Sequence, residues 1–219
     1  MMIRPESFYE ENLKGKTAEQ IATIIRSLKQ NIGRLKNRVE NPDYICPRKP
    51  SDKTIISFFQ AYLERAKQAL AEAGGTYVPS AAEKKAIEFE ANIPSISKVV
   101  FTIGGFFHGH KRIICTVNDD RVQISSEYPR GSDPFDFDKE EIVMPGREAF
   151  LEQLKKLHIG EWRRCYSAER FGHIVYDGTQ WDLKIYYSNN RKPVEISGDN
   201  AYPYNFDQFL ALIEMEEGE

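Results

Sequence analysis

The stretch Gly198-Asp199-Asn200-Ala201-Tyr202-Pro203-Tyr204-Asn205-Phe206 decides the fold. It opens on a glycine, carries two asparagines and a proline, and runs into Phe206, Phe209, Leu210 and Ile213 at helical spacing. Asn200 and Asn205 are residue types that bond neighbouring backbone in turns and at helix starts. The expectation is that Gly198 releases the chain from a last strand and that Asn205 caps a closing helix.

What the corner closes is legible just upstream. Gln180–Tyr187 places Trp181, Leu183, Ile185 and Tyr187 on one side at period two, the pattern of a half-buried strand. Asn189-Asn190 turns it into a partner over Pro193–Ser197. Further strands are expected at Glu161–Tyr166 and Ile174–Tyr176. Lys98–Gly104, Lys111–Val117 and Arg121–Ser126 read as a three-stranded meander rich in Val, Ile and Phe. Between the two sets lie a Pro/Gly/Asp-rich loop, Tyr128 to Asp138, and a helix opened by Pro145-Gly146 with Phe150, Leu151, Leu154 and Leu157 on its apolar face.

The N-terminal part has a different period. Thr17-Ala18-Glu19-Gln20 is a capping-box start, and Ile21, Ile25, Leu28, Ile32, Leu35 and Val39 follow at spacings of 4, 3, 4, 3 and 4. That is one narrow apolar seam, suited to a helical-hairpin partner or to self-association across a two-fold axis. A second helix capped by Ser51 or Asp52 buries Ile55, Ile56, Phe59, Tyr62, Leu63, Ala66, Ala69, Leu70 and Ala73, and ends at Gly74-Gly75. A shorter third helix follows Ser80-Ala81-Ala82-Glu83 and runs to about Ala91. The fold expected is α+β: an N-terminal helical region over residues 1–92, then an antiparallel α+β domain over 93–219 with one inserted helix and a C-terminal helix.

Tyr176-Asp177-Gly178-Thr179-Gln180-Trp181 together with Gly198–Phe206 resembles a recurrent domain of uncharacterised bacterial proteins, in which a DGTQW strand is followed by a hairpin, a GxNAYPxNF motif and a short helix. The meander from Ile96 and the helix near Pro145-Gly146-Arg147 resemble the upstream part of that domain. The resemblance implies the antiparallel α+β fold; it implies no activity and supplies no catalytic residues. On their own chemistry, Trp181, Asn200, Tyr202 and Asn205 form either a structural corner or an exposed recognition notch.

Composition narrows the function classes. Hydrophobic residues make up 41% of the chain, as in an ordinary globular protein. There is no signal-peptide plan at Met1-Met2-Ile3-Arg4 and no apolar run of bilayer-spanning length, so a cytoplasmic protein without membrane contact is expected. Cys46, Cys115 and Cys165 are widely spaced, which argues against a disulfide framework or zinc finger. His108-Gly109-His110 pairs two imidazoles but lacks further ligands. Asp177, Asp182 and Lys184 resemble a fragment of the acid–x–Lys set of metal-dependent nucleases, and Asp133, Asp136 and Asp138 cluster without an EF-hand pattern. No catalytic residue, cofactor or metal is assigned.

The net charge of −3 hides an asymmetry. Asn12–Lys53 carries ten Lys/Arg against four Asp/Glu, whereas Glu195–Glu219 carries seven acids and no Lys or Arg. Arg26, Lys29, Arg34, Lys36, Arg38, Arg48 and Lys49 form a candidate phosphate-tracking set on the basic helices. The leading expectation is a non-enzymatic binding or protein-interaction module, using the hairpin for assembly and a sheet face or the corner for recognition. A nucleic-acid-associated accessory protein is second and a metal-dependent hydrolase or nuclease third.

Overall fold

The computed structural model describes residues 3–46, 49–105, 109–127, 142–143, 146–175 and 178–213. The chain divides into two compact units, Met1–Ser80 and Ala81–Glu219. The third helix therefore belongs with the sheet and not with the two long helices.

In the first unit, α1 (Pro5–Asn12), α2 (Ala18–Val39) and α3 (Asp52–Glu72) pack together. The capping box forms as its residue types require: Thr17 Oγ1 accepts from the Gln20 N–H, and Gln20 Oε1 accepts from the Thr17 N–H. Ile21, Ile25, Leu28, Ile32 and Leu35 are all buried, as are Ile55, Ile56, Tyr62, Ala66, Ala69 and Leu70 on α3. The helices run antiparallel: Arg38 at the end of α2 meets Asp52 at the start of α3, while Gly75 beyond α3 lies against Ala18. Gly74 ends the second helix at φ +77°, the left-handed geometry glycine adopts cheaply. The helix α1 has no counterpart in the sequence reading, because eight residues carry too short an apolar pattern. It is held by Tyr62, whose ring stacks on Phe8 at 4.4 Å and whose hydroxyl donates to the Ile3 carbonyl at 2.6 Å.

The second unit is a seven-stranded sheet with helices packed against its core face. Its helices are α4 (Ala81–Asn92), α5 (Arg147–Lys156) and α6 (Phe206–Leu212). Its strands are β1 (Ile96–Gly105), β2 (Gly109–Val117), β3 (Val122–Glu127), β4 (Ile142–Val143), β5 (Cys165–Ser167), β6 (Thr179–Tyr187) and β7 (Val194–Asp199). Their order is β4-β3-β2-β1-β6-β7-β5. Every pairing is antiparallel except β5 with β7. The α+β architecture, with its N-terminal helices, mainly antiparallel sheet and C-terminal helix, is the one the sequence patterns specify.

Several elements differ in detail. Of the strand expected at Ile174–Tyr176, Ile174 and Val175 are irregular and Ile174 is 74% exposed, while Tyr176 lies outside the described residues. Glu161 closes a short 3₁₀ turn, so the strand is reduced to Cys165–Ser167. The Tyr128–Asp138 loop, Pro145, Arg48, His108, Asp133, Asp136, Asp138, Asp177 and the Glu216–Glu219 tail lie outside the described residues.

Alternation on the strands sends one set of side chains inward. Phe101, Trp181, Leu183 and Ile185 meet Phe150 and Leu154 of α5 and Phe206 and Phe209 of α6 in one core. Trp181 sits at its centre, with ring centroids 4.9 Å from Phe206, 5.8 Å from Tyr166 and 6.5 Å from Trp162.

Candidate functional site on the open sheet face

The Gly198–Phe206 corner is built into the core. Gly198 stays within β7, opposite Trp181, and a Cβ there would stand 2.1 Å from the indole Nε1. Its role is thus to admit the tryptophan, a correction to the expectation that it releases the chain. The indole donates to the Ala201 carbonyl at 3.0 Å. Asn200, at φ +52°, accepts from the Thr179 N–H through Oδ1 at 2.8 Å, and a Cβ on Gly178 would lie 1.9 Å from that oxygen.

Asn205 occupies the position before α6, but its side chain makes no capping bond. Its carbonyl oxygen instead accepts from Trp162 Nε1 at 3.1 Å, and its amide donates to the Leu157 carbonyl at 2.7 Å. It is 3% exposed, so these two partners replace water. The Tyr202 ring lies tilted against Phe206 at 4.9 Å, and burial raises its hydroxyl pKa, with Thr179 acting in the opposite direction. The geometry thus supplies a structural role for each of Trp181, Asn200, Tyr202 and Asn205.

The basic set on the helices is partly engaged within the chain. Arg26, Arg34 and Arg38 are exposed, while Lys29 and Lys36 lie half-buried at the flank of the helix pair. Arg38 is tied to the fully buried Asp52 at 3.2 Å, Lys29 donates to the Tyr77 hydroxyl at 3.1 Å, and Arg26 donates to Thr23. Lys49 is exposed at the start of the run into α3. The apolar seam offered for self-association faces α3 of its own chain.

The face of the sheet turned away from the core carries the alternate residues. Strand register sets them in rows. Arg112 on β2, Thr102 on β1 and Asp182 on β6 form one row. Ile114, Val100 and Lys184 form the next, and Thr116, Lys98 and Tyr186 the third. These rows, Thr116 excepted, line an open groove of about 330 Å³. Its floor is aliphatic, from Val100 and Ile114.

Charge around that floor is uneven. Lys184 leans outward to Glu195 on β7 at 3.3 Å, and Lys98 lies over the Tyr186 ring at 4.7 Å. Arg112 and Asp182 make no ion pair among the described residues, and both are exposed. The lining thus holds three cations and one acid. Asp182 and Lys184 stand out in the sequence as a fragment of an acid–x–Lys pattern, whereas Arg112 and Lys98 belong to no such pattern. Alternation marks all four as outward-facing; only the strand register reveals that they converge.

No family model, curated protein or solved structure matches this chain. Among the described residues, no group of three or more His, Cys, Asp or Glu is placed to hold a metal ion, and no helix is long and apolar enough to cross a membrane.

Proposed function

We propose that this protein is a non-enzymatic binding module that recognises its ligand on the open face of the β-sheet. The observation that carries this reading is the groove over β2, β1 and β6, where an aliphatic floor is ringed by charged groups. Such a mixture suits recognition, because apolar contact supplies affinity and placed charges supply orientation. The two other surfaces considered for recognition or assembly have less support. The corner's polar groups bond within the fold, and the α2 seam is buried against α3. A nucleic-acid role for the helices is weakened by the engagement of Lys29 and Arg38 inside the chain. A hydrolase reading has only Asp182 and Lys184 to rest on among the described residues.

Selection of binders from a random-sequence peptide display library tests the reading. Peptides enriched on the wild-type protein are expected to lose at least about tenfold in affinity for Ile114→Asp, since charge on the floor removes apolar contact. The variant should retain its circular dichroism spectrum. Enriched peptides that bind Ile114→Asp as well as wild type would remove the groove from consideration.

A further inference from the structure

We draw no further inference here: the strongest candidate, the open sheet face over β2, β1 and β6, carries balanced charge, with Glu127 opposite Arg112, Asp182 in the same row and Glu195 on Lys184, and nothing in the structure shows what covers it.

Discussion

The two faces of β6 are built from alternate residues of one strand and behave as different materials. Trp181, Leu183 and Ile185 are at most 1% exposed and locked among aromatic rings. Asp182, Lys184 and Tyr186, each one residue away, line the open groove. The inner face has neighbours on every side and its chemistry is fixed by packing. On the outer face the described contacts of these residues are with neighbouring strands, as in Lys184 with Glu195 and Lys98 with Tyr186, so packing constrains their identity less. The comparison teaches that the fold constrains the sequence at every second position, and that function is to be sought in the positions between.

The comparison is broken most severely from inside. Trp181→Ala removes the ring at the meeting point of Phe206, Tyr166, Trp162 and Phe101, together with the bond to Ala201. It is expected to lower unfolding stability by about 3–5 kcal/mol, read from the shift of a urea unfolding curve. A loss below about 1 kcal/mol would mean that the core is not organised around this indole.

Asn205→Ala comes next. It strands the Trp162 N–H and the Leu157 carbonyl in a site already sealed from water. The expected loss is about 2–4 kcal/mol, because each orphaned buried group retains its desolvation penalty. If Asn205 acted as a helix cap, Asn205→Asp would be tolerated. With both of its partners buried, the carboxylate should instead cost at least as much as alanine, and the pair of unfolding curves separates the two roles.

These two residues show where the sequence was legible and where it was not. Trp181 is readable from period two alone, since its neighbours in the pattern are Leu183 and Ile185 on the same strand. The seam from Ile21 to Leu35 and the caps at Thr17 and Ser51 are readable for the same reason: the physics acts within one helix. Asn205 misled because its partners lie 43 and 48 residues upstream, and a local rule had a cap ready. Gly198 misled in the same way, its reason being an indole on the neighbouring strand. The groove was out of reach: Arg112 and Asp182 are seventy positions apart and share a row only through the register of β2, β1 and β6. The brief β5 pairing with β7 leaves no apolar pattern to read.

Glycines sharpen the contrast by changing its sign. Gly198→Ala drives a methyl group into the Trp181 indole and is expected to lose about 1–3 kcal/mol through overpacking. Gly33, within α2, has nothing within 4 Å of the Cβ position. There the methyl meets no obstacle and the helix gains, so Gly33→Ala is expected to raise stability by about 0.5–1 kcal/mol. Thermal unfolding of the two variants should move the midpoint in opposite directions.

The smallest expected effect carries the most information about the outer face. Asp182→Ala removes a carboxylate that is exposed and makes no ion pair among the described residues, so stability should change by less than about 0.5 kcal/mol. Its neighbours argue the same way: Lys184 is tied to Glu195 and does not depend on Asp182, and Thr102 stands between Asp182 and Arg112. A loss above about 1.5 kcal/mol would place Asp182 in a stabilising network and make the groove part of the scaffold. Neutral stability combined with altered peptide selectivity is the result the two-faced strand requires, because a residue kept for its ligand leaves the folded state almost unchanged when it is removed.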